Sequence, residues 1–572
     1  MRLKYYLSRF WLAISISFYL FTPYLIRYTH EFNRFVFHWT LWDLLSLLLC
    51  IVLLGTLFFL FFIILYVRGK NFTKKVFELT FIAVLGVACV ANVFHLVKHN
   101  LLTFSNLWIR WMIHLYSGYF LWSLLGIFII YAALRHTKRI KTLCITLFFI
   151  VSPLLPIFTL NALRYQSITS NSGSLTMFSE NKNPNKVNTK NVFIFIFDEW
   201  SYQKTFSNRK LIAEFSNLKQ FKDLAFVFHQ ACSPGPNTFA SMPAFLFQTN
   251  LRFTTNGGRT GFKGERFQPL NQTENIFHHA RELGFYTCII GSYMPYGGLL
   301  EGSIDFAKSI SVAKRFGDSF LDVTKYHSLT AALMLPAPFF HSARRRVSAY
   351  FFNRFQINRI NATHELFKTI VQNQSQPTFA VFHYMIPHFP YIFNRSGHKK
   401  LFAIYKGREA SNYYGNLSYL DKKIGEITSI LKKANKFENS LIIMTSDHSW
   451  RKDPDYRKTK LLMEKRHVPL FAKMPYQKHS IEINSKFNTY KLGSFINKYL
   501  DGEFTLAEVK PLLDKENYFN PIPLELKTTE HLPLNKGVNK NLKSLGYISN
   551  ESEESPEPPS KGCKANPPYE NQ

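Results

Sequence analysis

Long apolar runs crowd the first 162 residues of this chain and give way afterwards to mixed polar and apolar sequence. An α-helix needs roughly 20 mostly apolar residues to cross a bilayer. Five runs qualify, at about 10–26, 42–67, 77–97, 112–134 and 142–162. The first is short and contains Pro23. A signal peptide is its rival reading, but no small-residue cleavage site follows and four more runs do. Basic residues alternate between the connections. The N-terminus carries Arg2, Lys4 and Arg9, the second loop Arg68, Lys70, Lys74 and Lys75, the fourth Arg135, Lys138, Arg139 and Lys141. The intervening loops are poorer, with Arg27 and Arg34 beside Glu31, then Lys98 and Arg110. Basic short loops stay cytoplasmic. The expected topology is a multi-pass protein with its N-terminus inside and everything after residue 162 outside the cytoplasm, on the periplasmic side of a bacterial inner membrane.

That topology decides how to read the formal charge of +32. Nucleic acid is not an expected partner, because a soluble part outside the cytoplasm rarely meets it. Membrane lipids, and an anionic lipid headgroup or glycan as substrate, are the expected partners. The six cysteines form no disulfide framework: Cys50, Cys89 and Cys144 fall in apolar runs, Cys563 in the tail. Cys232 and Cys288 are either one bridge or two unrelated thiols.

Residues 163–190 read as a Ser/Asn/Lys-rich linker, 191–500 as a catalytic domain, 501–550 as an extension, and 551–572 as a disordered acidic, Pro-rich tail. Within 191–500, strands and helices alternate. Buried strands are expected at 191–197, 285–290, 378–383 and from 441, with helices over 274–284 and 416–433. Strand, helix, strand at these lengths implies an α/β domain with a mostly parallel sheet covered on both faces.

Two of those strands end alike. Asn191-Val-Phe-Ile-Phe-Ile-Phe runs straight into Asp198-Glu199, and Leu441-Ile-Ile-Met-Thr-Ser into Asp447-His448. Ligands of open α/β sheets sit beyond the carboxyl ends of the strands. Two strand ends that deliver oxygen and nitrogen donors therefore read as two halves of one metal site. His383 and His388 lie in a stretch stiffened by Pro387 and Pro390, and His467 is a further candidate. A nucleophile is available in Cys232-Ser-Pro-Gly-Pro-Asn-Thr238-Phe-Ala-Ser241, as a thiol or either of two hydroxyls.

Taken in order, Phe-Asp198-Glu199, the Pro/Gly-rich turn, Pro-His388-x-Pro-Tyr and Thr-Ser-Asp447-His448 resemble the sulfatase branch of the alkaline phosphatase superfamily over roughly 190–475. Tyr414-Gly-Asn-Leu-Ser-Tyr-Leu-Asp421 and Val468-Pro-Leu-Phe add to the likeness. Sulfatases carry Cys-x-Pro-Ser-Arg before a Leu-Leu-containing helix. Local similarity puts that Cys on Cys232, but aligning the helix on Phe245-Leu246 puts it on Thr238, with Ser241 at the Ser and Met242 at the Arg. Thr in that place, behind membrane spans, is similar to phosphoethanolamine transferases and lipoteichoic acid synthases. The resemblance implies a divalent metal, zinc first, with manganese, magnesium or calcium as alternatives. It implies Asp198 and/or Glu199, Thr238, Asp447 and His448 around that metal. His388 and His383 would contact phosphoryl oxygens or protonate a leaving group. The expected activity is transfer of a phosphoryl headgroup through Thr238. The alternatives are a sulfatase or phosphodiesterase on the same scaffold and an inactive membrane receptor.

Overall fold

The computed structural model describes residues 41–68 and most of 191–515, with breaks within 250–273, 301–340 and 401–409, and scattered positions elsewhere. The expected spans at 77–97 and 112–134, the linker 163–190 and the tail 551–572 lie outside the described residues. The second expected span falls on helix α1, Leu41–Arg68, 28 residues long. Among the described residues no helix is long and apolar enough to cross a membrane. One face of α1 buries Leu47, Cys50 and Ile51 against Ile14 and Phe18. The other leaves Leu53, Leu57, Leu60 and Phe61 exposed.

The α/β domain opens with β1, Asn191–Phe197, all seven residues of which are buried. Side chains alternate across a strand, so Val192, Ile194 and Ile196 enter one core while Phe193, Phe195 and Phe197 enter another. In chain order the elements that matter next are α2 (Ser216–Lys222), β2 (Phe226–Phe228), β3 (Ala231–Cys232), α3 (Thr238–Leu246) and α4 (His278–Glu282). They are followed by β4 (Tyr286–Ser292), β5 (Phe306–Ile310), α5 (His341–Asn373), β6 (Thr378–Tyr384), α6 (Ala410–Lys433) and β7 (Ser440–Thr445). The last are α7 (Pro454–Thr459), β8 (Leu470–Lys473), β9 (Ile481–Ile483) and α8 (Leu492–Leu500).

Eight of these strands form one sheet in the order β5-β4-β6-β1-β7-β8-β2-β9. Pairing is parallel from β5 through to β7, and β8 runs against both its neighbours. The core on the Val192 side takes residues of α3, α4 and α8; the core on the Phe193 side takes residues of α2, α5 and α6. The result is a sheet covered by helices on both faces, as the strand–helix alternation implies. The expected helix over 274–284 is shorter than read, only His278–Glu282. Its neighbouring turn is tied down by Asn275 Oδ1 accepting from Phe277 N instead. Cys232 and Cys288 are both free thiols, so no bridge joins them.

Register brings the strand ends together. Ile196 pairs with His383 of β6 on one side and with Thr445 of β7 on the other. Asp198, His383 and Asp447 thus emerge from three adjacent strands at the same edge of the sheet.

Candidate metal centre and active site

Asp198, Asp447 and His448 are all buried, and each offers a ligand atom within 4.8 Å of the others. Local hydrogen bonds aim these atoms. Asp447 Oδ1 accepts from the backbone N–H groups of His448 at 2.8 Å and Glu199 at 3.2 Å. That leaves Oδ2, which has no protein partner. The ring of His448 donates from Nδ1 to Ser449 O at 2.8 Å, which turns the lone pair of Nε2 inward. Nε2 then lies 3.5 Å from Asp198 Oδ1, 3.5 Å from Asp447 Oδ2 and 3.4 Å from Thr238 Oγ1.

Thr238 is the first residue of α3, which Asn237 caps by accepting from Ala240 N. The Pro/Gly-rich turn before it is closed by Ser241, whose Oγ bonds the backbone of Gly235. Ser241 therefore fastens the loop. Cys232 is buried in β3, where desolvation pushes its thiol up to about 12, and the cluster does not include it.

Buried polar atoms normally find partners, and each exception asks for an explanation. Here both oxygens of Asp198, Oδ2 of Asp447 and Nε2 of His383 have none. Burial, then Asp447, then Glu199 hold the Asp198 carboxyl well above its usual range. Such a cluster lacks a positive charge, and a divalent cation supplies one. Two carboxylates, an imidazole and a hydroxyl fit a four-coordinate ion such as zinc.

Glu199 behaves differently from its neighbour. Its φ of +67° lies in the left-handed region, rare outside glycine, and swings its side chain away from that of Asp198. Tyr413 fixes the turn by donating to Glu199 O at 2.6 Å. Oε1 of Glu199 accepts from Arg451 Nε at 2.5 Å. Burial alone pushes the carboxyl up, but Arg451, His388 and His448 outweigh it and hold it at about 2. Of the two acids that end β1, Asp198 faces the cluster and Glu199 faces Arg451.

Arg451 also donates from Nη2 to His388 Nε2 at 2.5 Å, while His388 Nδ1 donates to Phe389 O. Both ring nitrogens are engaged, and desolvation holds the ring down at about 3. His388 thus faces a guanidinium in this structure, where the resemblance gave it phosphoryl oxygens or a leaving group. His383 shares a 2.8 Å hydrogen bond between Nδ1 and Tyr296 OH, with Nε2 3.9 Å from Asp447 Oδ2. Gly291 makes room for that contact: a Cβ there would lie 2.7 Å from His383 Cβ. His467 is not part of the cluster; it is half-buried and its ring stands edge-on to Tyr202, 6.1 Å away.

The sequence reading missed Arg451, Tyr296 and Asn416. Asn416 Nδ2 donates to the carbonyls of Pro387, His388 and Pro390, which holds the His388 loop onto α6. Its place in the Tyr414-Gly-Asn stretch was the available signal. Arg451 had none beyond standing four residues after Asp447.

The sulfatase family model matches residues 190–491, more than half of the chain. The protein belongs to the sulfatase family. Enzymes of this family act on sulfate and phosphate esters and are typically dependent on a divalent metal. Among solved structures, the chain is similar to lipoteichoic acid synthase LtaP from Listeria monocytogenes at 14% identity and TM-score 0.34, covering 58% of this chain and 76% of that one. It is similar to a phosphonate monoester hydrolase of Agrobacterium radiobacter at 15% identity and TM-score 0.33, covering 55% and 74%. PsFucS1 sulfatase from Pseudoalteromonas sp. matches at 13% identity and TM-score 0.36, covering 56% and 68%. No curated protein matches.

Proposed function

We propose that this sulfatase-family enzyme is a membrane-anchored transferase. It moves a phosphoryl headgroup, of the phosphoethanolamine or phosphoglycerol type, from a lipid to an envelope lipid or glycan through Thr238. The observation that carries this reading is the hydroxyl of Thr238, 3.4 Å from His448 Nε2 at the start of α3. It stands beside the cluster, whereas Cys232 is a buried thiol of β3 and Ser241 is spent on the Gly235 turn.

Asp198, Asp447 and His448 would hold the ion, with Thr238 Oγ1 beside it. A bound divalent ion lowers the pKa of an adjacent hydroxyl and offsets charge on the phosphoryl group. Thr238 supplies the oxygen that attacks phosphorus, and the N-terminal amides of α3 favour the anion it meets. The new Oγ1–P bond forms as the ester bond to the lipid alcohol breaks, and the proton given up by Thr238 ends on the departing alkoxide. An acceptor hydroxyl then attacks the same phosphorus, the Oγ1–P bond breaks, and the acceptor's proton ends on Oγ1, which restores Thr238. His383, locked by Tyr296, presents Nε2 to the same space.

Anchoring is supported by the apolar runs before residue 162, each near the roughly 20 residues a bilayer-crossing helix needs. A reporter active only outside the cytoplasm should be active when fused after residue 165 and silent after residue 72. The reverse pattern would remove the membrane lipid as donor. The reaction itself is tested by incubating the zinc-loaded chain with labelled phosphatidylethanolamine or phosphatidylglycerol and following the label. Transfer to an added acceptor, or a phosphorylated Thr238 when none is supplied, supports the proposal. Release of free headgroup alone points to the hydrolase.

A further inference from the structure

Charge around the metal centre leads to a second functional group. Three buried carboxylates, Asp198, Glu199 and Asp447, lie at one edge of the sheet. One divalent ion leaves that set with a surplus negative charge, which would repel the anionic esters this family takes. Arg451 removes the surplus. Its charge is felt by Asp198, Glu199, His388 and His448. Its side chain is 9% exposed and that of Glu199 2%, so the pair is held out of bulk water beside the cluster.

The geometry points to Arg451 as the residue that binds the anionic oxygens of the transferring group, with Glu199 and His388 as its positioning residues. The guanidinium is gripped at two atoms, Nε by Glu199 and Nη2 by His388. Both anchors are themselves fixed: Glu199 through Tyr413 and His388 through the Asn416 clamp. A planar fork held this way matches the geometry of a phosphate or sulfate group. The adjacent Lys452 is directed elsewhere, 4.1 Å from the centre of the Phe389 ring and 5.2 Å from that of Tyr391. The competing arrangement gives Glu199 and His388 to a second metal ion, since a carboxylate and an imidazole are also metal ligands.

This rests on the active site proposed above, but its test needs no turnover. Inorganic phosphate is titrated calorimetrically into the detergent-purified, zinc-loaded full chain, and bound metal is counted by mass spectrometry. Wild type should hold one ion per chain. Arg451→Ala should keep that ion and lose phosphate affinity at least about tenfold, since a charge-assisted bidentate contact is gone. Added guanidinium should restore part of it. Glu199→Gln should weaken phosphate binding less, by loosening the arginine. If Arg451→Ala does not fold, Arg451→Gln, which keeps a polar side chain, takes its place. Phosphate affinity within twofold of wild type in a folded, metal-loaded variant overturns the assignment, and so does a wild-type content of two ions. A chain that hydrolyses esters but loses phosphate affinity with Arg451 would sink only the transferase.

Discussion

Two adjacent poles of the active site solve the same electrostatic problem in opposite ways. At one, Asp198, Asp447 and His448 point donor atoms at each other, and the Asp198 oxygens and Asp447 Oδ2 find no protein partner. At the other, Glu199 meets Arg451 within the chain, and only its Oε2 is left without a partner. Both poles begin at consecutive residues of one strand end. The difference teaches that a buried acid needs a cation and that the backbone decides which one. The left-handed φ of Glu199 sends that side chain to a built-in guanidinium. Asp198 is left to a cation from solution.

The largest expected effect lies at the proposed nucleophile. Thr238→Ala should lower turnover by at least about 10³-fold, because no neighbouring hydroxyl reaches the same in-line position. Cys232→Ala should leave turnover within a few-fold of wild type, and peptide mass should show no formylglycine at residue 232. Activity that survives the first change and dies with the second would move the chain to sulfatases that use a modified cysteine. Next comes the metal. Asp447→Ala should lower zinc affinity at least about 100-fold, since it removes a ligand and a compensating charge. Wild-type metal content in a folded Asp447→Ala chain would place the ion elsewhere.

The halves of the site that lie at strand ends were legible in the sequence. Buried strands announce themselves as unbroken β-branched and aromatic runs, and β1 and β7 each end in the residues that meet at the cluster. Parallel pairing then brings consecutive strand ends to one edge, so neighbours 249 positions apart, Asp198 and Asp447, face each other by topology. Choosing between Asp198 and Glu199 was not possible from sequence, because it turns on one backbone dihedral angle. Arg451 was invisible for a related reason. Its partners, Glu199 and His388, come from two other loops, and no local periodicity encodes a contact between loops. His383 ends the strand expected at 378–383 and stands in β6, but its ring is set by Tyr296, a residue 87 positions away that no local pattern points to.

The comparison between the poles sharpens in a pair of substitutions measured with and without metal. Asp198→Asn should stabilise the metal-free chain, because an amide that never ionises replaces a carboxyl whose ionisation burial, Asp447 and Glu199 all oppose. The same change should forfeit most of the stabilisation that zinc gives. Glu199→Gln should destabilise both forms by a similar amount, since it strands Arg451 whether or not the ion is bound. Thermal unfolding of both variants and of wild type, each with and without zinc, reads both effects. If Asp198→Asn destabilises the metal-free chain as much as Glu199→Gln does, the two acids are not in opposite environments.

The smallest effect comes from a titrating group outside both poles, which isolates their pH response from that of the scaffold. His364 on α5 shares a 3.2 Å hydrogen bond from Nδ1 to Tyr384 OH. Burial first, and Lys423 second, hold its ring down from 6.5 to about 4, against the opposing pull of Glu426 and Glu365. Between those values the unfolded chain binds a proton that the folded chain refuses, so stability rises with pH across that window. On acidification the chain should lose stability progressively from about pH 6.5 down to about pH 4, where the folded ring also protonates and the loss levels off. His364→Gln carries no titrating ring, so its unfolding midpoint should fall less steeply over that range. Zinc loading should leave the difference between the two slopes unchanged, because His364 touches neither pole. A difference that vanishes when the metal is bound would mean that the acid response belongs to the cluster at the sheet edge.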